Sequence, residues 1–395
     1  MKALLVTEPG VDGVFRYVET LCHFLDGQGV NVNLAYSDRR GSDRLPKLVA
    51  WVEARGGKTL NLRTANRPAL SDLRAFWGLL RLVRAVRPDV IHSHSSKGGF
   101  LARLLPFCGV RAAQFYHPHA YVGMRPRPGR IDPLYNFIEG VLGRVSCTIA
   151  VSSDERNFAC QRLRIPPHRV HLLHNGVDTE VFAPVSPEKK RQLRIELGLP
   201  TDRPILGFIG RASEQKDPRT LYRAFARAAA ERPDIVLFHV GTGELHAELE
   251  RLTAELGIRD RVFRRSYMAT PAMFYRVVDG FILTSRYEGF SLAALEALAA
   301  DLPMVLSEAP GTVDLLARSL SHVWKAAPGD VDGFARGIAA WRDRLRDGSL
   351  PNHRVIAETQ FDIEEKNAAV LTLYRQYAPQ AEYAPSARER PHSMA

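Results

Sequence analysis

At 395 residues, with 45% hydrophobic and 25% charged side chains, the chain has an ordinary globular composition and is too long for one ordinary core, so two domains are expected. The longest apolar stretches, 280–283 and 292–300, fall well short of a bilayer span, and the opening Ala3-Leu4-Leu5-Val6 run meets Glu8 and Pro9 too soon for a signal peptide. Lys and Arg number 54 against 43 Asp and Glu, a net +11; this suits phosphorylated ligands or an acidic membrane face, and without a nucleic-acid fold signature it argues against a nucleic-acid partner.

In chain order, β-rich runs at 3–7, 30–36, 58–62, 90–94, 112–116, 148–151 and 170–173 alternate with helical patterns at 14–28, 71–86 and 133–145. The rhythm breaks between 175 and 203, where Asn175-Gly176, Pro184, Pro187 and Pro200 surround one helix of mixed charge at 187–197. It resumes with strands at 205–209, 235–240, 261–263, 280–283, 304–306 and 322–324, and helices at 218–232, 245–256, 292–300 and 331–345. This order predicts an α/β chain with two parallel sheets, each covered by helices on both faces. Ligands of such sheets bind beyond the carboxyl ends of the strands, so a cleft between two facing sheets is the expected site. A last helix at 363–377 carries apolar Ile363, Val370, Leu371, Leu373, Tyr374 and Tyr377, and the polar tail 379–395 is expected to be disordered. Cys22, Cys108, Cys147 and Cys160 form no C-x-x-C pair and read as buried thiols of a reducing cytosol.

The strongest local signal runs from Arg286 to Glu296 (RYEGFSLAALE), between a strand and an Ala-rich helix. Such a junction offers unpaired backbone N–H groups and the positive end of a helix dipole, a seat for a diphosphate. Glu288 precedes the helix and Glu296 lies about a turn inside it, so one carboxylate can reach a sugar while the other accepts from ribose hydroxyls. A second strand end carries Gly210-Arg211 and, five residues on, Lys216. Both cations can converge on a leaving diphosphate, whose charge grows as the glycosidic bond breaks. Gly241-Thr242-Gly243-Glu244 ends another strand and is either part of a nucleotide loop or a tight turn before a helix capped by Thr242. Gly10 and Gly13, after the first strand, leave room for an acceptor to approach the backbone.

His92-Ser93-His94 ends a strand; its two imidazoles are expected on opposite faces, which argues against one shared metal. His117-Pro118-His119 follows the next strand and faces the cleft, where His119 either meets the transferred sugar or packs as a structural histidine. Asp330 and Asp332 read as the N-cap region of a helix rather than as metal ligands. No metal site is expected.

Glu288 to Glu296 resembles the E-x7-E motif of retaining GT-B glycosyltransferases, and the chain to about Tyr377 resembles glycosyltransferase family 4. The stretches that carry this are His92 to Lys97, His117 to His119, His174-Asn175-Gly176-Val177-Asp178, Gly210-Arg211 with Lys216, Gly241 to Glu244, and Glu288 to Glu296. The resemblance implies an N-terminal acceptor-binding Rossmann-like domain (1–178), a C-terminal nucleotide-sugar-binding domain (179–360) and a helix (361–378) crossing back onto the first domain. It assigns Arg211 and Lys216 to the donor diphosphate, Glu296 to the ribose, Glu288 to the donor sugar and His119 to the catalytic cleft. Gly210, Gly241 and Gly243 belong to the same donor site. Backbone around Phe290, Ser291 and Leu292 would contact phosphate, and the strand end at Val262 would border the base. The implied activity is a retaining hexosyl transfer without cofactor or metal, from a UDP- or GDP-linked sugar to a saccharide or lipid-linked saccharide of exopolysaccharide, capsule or O-antigen synthesis.

Three positions depart from the family pattern. Pro9-Gly10-Val11-Asp12-Gly13 replaces a double-Gly loop, Ser291 stands where Gly is frequent, and Arg264-Arg265-Ser266 replaces Leu-Gly, which leaves the base open. Competing readings are a nucleotide-sugar epimerase on the same architecture, a catalytically silent nucleotide-sugar-binding partner of an assembly complex, and a nicotinamide dehydrogenase. The intact Arg211, Lys216, Glu288 and Glu296 oppose the silent partner, and the lack of G-x-G-x-x-G after the first strand opposes the dehydrogenase. Arg81, Arg84 and Arg87 on one helical side, with Arg125, Arg127 and Arg130 in a Pro-rich loop, point to a cytoplasmic protein resting on the inner face of an anionic membrane.

Overall fold

A computed structural model describes residues 1–378 except 11, 40, 65–68, 127–128, 269 and 348–350. The expected tail at 379–395 and Arg127 lie outside the described residues. The first half forms strands β1 (Lys2–Thr7), β2 (Asn31–Tyr36), β3 (Thr59–Asn61), β4 (Val90–His94), β5 (Ala113–His117), β6 (Cys147–Ala150) and β7 (Val170–Leu172). Its helices are α1 (Asp12–Gly27), α2 (Leu45–Ala54), α3 (Ser71–Val86), α4 (Ser95–Arg103), α5 (Asp132–Leu142) and α6 (Ser153–Asn157). The second half forms β8 (Ile205–Ile209), β9 (Val236–Val240), β10 (Val262–Arg265), β11 (Gly280–Leu283), β12 (Met304–Ser307) and β13 (Val323–Ala326). Around these pack α7 (Pro187–Glu196), α8 (Pro218–Glu231), α9 (His246–Glu255), α10 (Pro271–Val277), α11 (Leu292–Ala299), α12 (Val313–Leu316), α13 (Val331–Arg346), α14 (Arg354–Gln360) and α15 (Ile363–Tyr377).

The strands make two parallel sheets, ordered β3-β2-β1-β4-β5-β6-β7 and β10-β9-β8-β11-β12-β13. The run of strands buried on both faces (β4, β6, β9, β11 and β12 have no half-exposed position) explains their continuous apolar or small-polar sequences. Strand order reverses between β1 and β4 in one sheet and between β8 and β11 in the other. Those reversals open a crevice at the carboxyl ends. The turn holding Gly10 and Gly13 therefore stands near His94 on one side, and the Gly210–Lys216 segment stands near Glu288 on the other.

Helix α1 buries Phe15, Val18, Leu21, Cys22 and Leu25, a three-and-four spacing that lays one face on the sheet. In the same core sit Val370, Leu371 and Tyr374 of α15, so the last helix packs back onto the N-terminal domain. The return is fixed where Val177 N–H donates to Phe361 O (2.8 Å). Gly176 passes so near Ile363 that a Cβ would stand 2.6 Å from its Cα; only glycine fits there.

No helix was expected over α4, whose Gly98-Gly99 pair has low helix propensity. A Cβ at Gly98 would lie 3.1 Å from Val6 O, and one at Gly99 would overlap the Tyr116 ring, so the glycines let the helix lie against the sheet. Thr242 caps nothing: α9 begins later, and its N-cap position is Leu245 without a side-chain bond. Asp330 does cap α13, accepting from Gly333 N–H at 2.9 Å. Cys22 and Cys147 are buried thiols, Cys160 is half-buried, and Cys108 is exposed, contrary to the expectation for all four.

Candidate active site

On the C-terminal side, Lys216 leaves the turn after β8 and Glu288 the turn after β11. The Lys216 ammonium meets Glu288 Oε1 at 2.6 Å, and Ser285 Oγ donates to the same oxygen at 2.5 Å. Both partners are largely buried, so the pair is held in a low-dielectric setting where its charges act strongly. Arg211 is exposed at the same strand end. It and Arg125 of the N-terminal domain both act on the Tyr287 phenol, whose acidity burial reduces.

Gly241 and Gly243 line this site by allowing backbone contact rather than by facing a ligand. A Cβ on Gly241, whose φ is +139°, would overlap Gly210 O, and one on Gly243 would stand 2.5 Å from Ala212 O. The turns after β8 and β9 thus stack directly, with Ala212 N–H donating to Thr242 O at 3.0 Å.

Ser291 caps α11, its Oγ accepting from Ala294 N–H at 3.4 Å. The Phe290 side chain is buried against His174 and Phe361 rather than in the cleft, and its carbonyl accepts from Asn175 Nδ2 at 3.0 Å. Glu296 is buried on α11, where it accepts from Tyr275 Oη (2.7 Å) and pairs with Arg16 of α1 at 2.5 Å. A salt bridge therefore spans the two domains at the carboxylate read as the ribose partner. Beside it, a Cβ on Gly13 would stand 3.0 Å from Leu292 Cδ1.

Val262 is not at the cleft. Strand β10 runs on to Arg265, whose partner is Val240, while Val262 pairs with Leu237. At about 3.3 Å per residue, Val262 lies roughly 10 Å behind the strand end, and it packs against the hydrophobic core of the C-terminal domain. The residues at that end are Arg264, bound to Glu250 and His246, and Arg265, which donates to Leu197 O.

Across the cleft, His119 and Ala120 both take positive φ, +56° and +101°, a strained turn for residues with a Cβ. Glu155, fully buried, holds that turn: its carboxylate accepts from Ala120 N–H (2.7 Å) and Val151 N–H (2.8 Å). The turn touches the donor side directly, since a Cβ on Gly289 would stand 2.8 Å from His119 C. His119 Nε2 meets His94 Nδ1 at 3.2 Å. Burial pushes the His119 imidazole down to about 3, so it is neutral.

The opposite-face expectation for His92 and His94 fails. Successive side chains alternate along a strand, so positions two apart share a face; these rings lie 4.2 Å apart. With His117 they bring three ligand atoms within 4.8 Å of one another, so opposite faces no longer argue against one shared metal.

Sequence reasoning missed Arg16, Tyr275 and Glu155, each of which acts through a partner far along the chain. The part played by His174 is likewise not visible in the sequence. His174 Nε2 (2.9 Å) and Ser153 N–H (2.6 Å) bind Asp314, and Gly311 N–H donates to Asp154 at 2.8 Å. Burial would push the Asp314 carboxyl up, but these hydrogen bonds outweigh it and hold it down at about 2.

Comparison with known proteins follows the same division. The family profile described as Glycosyltransferase Family 4 matches residues 11–181, and that described as Glycosyl transferases group 1 matches 189–351. The chain is 27% identical over 252 residues to the UDP-Gal:alpha-D-GlcNAc-diphosphoundecaprenol alpha-1,3-galactosyltransferase of Escherichia coli, covering 61% of this chain and 63% of that one. It is 32% identical over 255 residues to the D-inositol 3-phosphate glycosyltransferase of Thermobispora bispora, covering 59% and 58%. The chain thus spans about three fifths of the length of the curated relatives it matches. Among solved structures, Anabaena HepE in complex with UDP and glucose superposes with a TM-score of 0.80 at 19% identity, covering 95% of this chain and 99% of that one.

Proposed function

Because the chain belongs to the GT-B glycosyltransferases of the family 4 type, we propose that it transfers a sugar from a nucleotide-sugar donor to an acceptor hydroxyl, with retention at the anomeric carbon. The observation that carries this reading is the contact of the His119 turn with Gly289, next to the Lys216–Glu288 pair. It joins the donor-side cations and carboxylate to the acceptor side at one point.

In this reading the donor diphosphate sits over the amino end of α11, with Lys216 and Arg211 on its oxygens. Both cations favour the transition state, where charge on the leaving group grows. Lys216 turns from Glu288 to phosphate as the donor binds, which frees Glu288 for the sugar hydroxyls. Glu296 accepts from the ribose, and Arg16 moves aside or shares it. The C1–O bond to diphosphate breaks as the acceptor oxygen bonds to C1 on the same face, and the acceptor proton passes to a diphosphate oxygen. The diphosphate charge is met by Arg211 and Lys216, so no metal is needed there.

The name of the Escherichia coli relative, with its UDP-Gal donor and diphosphoundecaprenol-linked acceptor, supports a UDP-sugar donor and a lipid-linked saccharide acceptor. A membrane-facing location at the inner leaflet agrees with the surface. Helices α3, α4 and α5 follow same-handed crossovers from β3 to β6 and so share one side of the sheet. On α3, Leu73 and Trp77 are exposed ahead of Arg81 and Arg84; Ile131, just before α5, and Leu134, Phe137 and Val141 on it are exposed ahead of Arg144. Two apolar stripes edged with arginine fit an acidic bilayer interface. Arg125 contributes less than expected, because Asp132 pairs with it. Among the described residues no helix is long and apolar enough to cross a membrane.

The reading is tested by offering the purified protein a panel of UDP- and GDP-sugars with polyprenyl-diphosphate-linked saccharides, without added magnesium or manganese. A saccharide lengthened by one sugar is expected from at least one pair. Donor hydrolysis alone, epimerised donor, or transfer that begins only with added metal would contradict it.

A further inference from the structure

We propose that His92, His94 and His117 form a binding site for one zinc-class divalent ion, under the acceptor side of the cleft. His92 and His94 are on β4 and His117 is on its neighbour β5, in adjacent register, and all three are essentially inaccessible to solvent. One ligand nitrogen from each lies within 4.8 Å of the other two.

The pattern of partners is what separates this cluster from packed core histidines. His92 Nδ1 bonds Tyr374 Oη of α15 at 2.6 Å, and His94 Nδ1 bonds His119 Nε2 at 3.2 Å. Their Nε2 atoms, and both ring nitrogens of His117, are buried without a hydrogen-bond partner among the described residues. A buried polar nitrogen left unpaired is costly, so the cluster calls for a partner. His92 and His94 thus show the division of metal-bound histidines, with one nitrogen free for the ion and the other on an outer partner that fixes the ring.

Three neutral nitrogens suit zinc, cobalt or another borderline ion rather than magnesium or calcium, which take oxygen. Zinc–nitrogen bonds of about 2.0–2.1 Å require the rings to draw together by roughly an ångström. A fourth position remains, next to His119, which stacks on His117 at 4.0 Å. The ion would tie β4, β5 and, through Tyr374, the crossover helix beneath the strained His119 turn. It is separate from the donor diphosphate, which the other domain holds, and the proposal does not depend on the transfer reading.

The test uses the full-length protein stripped with a strong chelator and dialysed. Cobalt or zinc is then titrated at micromolar concentration, and bound metal is counted by mass spectrometry. We expect one ion per chain, the intense visible bands of four-coordinate cobalt, and a higher Tm with zinc; His117→Ala should lose both the bands and the zinc-dependent shift. Wild-type protein that takes up less than one ion, or shows only weak six-coordinate bands, overturns the site even if His117→Ala fails to fold. A folded His117→Ala with unchanged uptake overturns it as well.

Discussion

Glu296 shows how a residue can be legible in kind and not in circumstance. Its place eight residues after Glu288, at a strand–helix junction, is the basis for proposing it as an acceptor for ribose hydroxyls. That it is already bonded to Tyr275 and Arg16 is written nowhere near it in the chain. Glu296→Ala is expected to weaken nucleoside diphosphate binding by about 1–3 kcal/mol, roughly fivefold to 150-fold. Calorimetry with unchanged affinity would remove Glu296 from the donor site. Glu155 was not legible at all, because nothing but the fold brings it under Ala120 N–H. Burial raises its carboxyl to about 7. Between its ordinary value near 4.5 and about 7, the unfolded chain has released this proton while the folded protein keeps it. Its contribution to stability is therefore complete below about 4.5 and declines by about 1.4 kcal/mol per pH unit until about 7. Glu155→Gln, neutral throughout, is expected to flatten that decline in denaturant titrations at a series of pH values. Parallel curves for the two proteins would contradict a raised carboxyl.

Elements were read best where hydrophobic period and strand length agreed. Helix α3 spans the residues its pattern predicted, and β8 and β11 do the same. Short helices such as α10, α12 and α14 have too few turns to show a period, and α4 was hidden by the two glycines that seat it. Strand β10 was recognised but ended too early, since Arg264 and Arg265 look like a loop until Glu250 and Leu197 O are found to bind them; Val262 was misplaced for that reason. The turn between β11 and α11 has a second requirement that its sequence does not display. Gly289 lies against the His119–Ala120 backbone, where a Cβ would stand 2.8 Å from His119 C. Gly289→Ala is expected to push the two strand-end turns apart and lower transfer roughly tenfold to a hundredfold, with nucleoside diphosphate affinity changed much less. Wild-type turnover in this variant would show that the contact has no part in catalysis.

At the scale of the molecule, two parallel sheets with their crevices facing were legible from the alternation of strands and helices. The connection between them was not. The hinge depends on Asp154 and Asp314 bonded across the domains, and on Val177 paired with the chain before α15. These contacts accompany the close approach of Gly289 to the His119 turn. The proposed membrane face is made by the apolar stripes of α3 and α5. Sedimentation should show the protein on anionic vesicles and not on neutral ones, with binding weakened by salt. Trp77→Asp with Phe137→Asp should reduce vesicle binding while leaving transfer to a short-chain, soluble acceptor unchanged. Equal binding to neutral vesicles, or no effect of the substitutions, would contradict the membrane face.

The account rests most heavily on one chemical event, same-face replacement of a nucleoside diphosphate by an acceptor hydroxyl. It is tested most directly by isolating the product of the donor–acceptor pair that reacts and reading its new anomeric linkage by NMR against that of the donor sugar. We predict one added sugar with the donor's anomeric configuration kept. An inverted linkage, or a released sugar with no acceptor attached, would contradict the account.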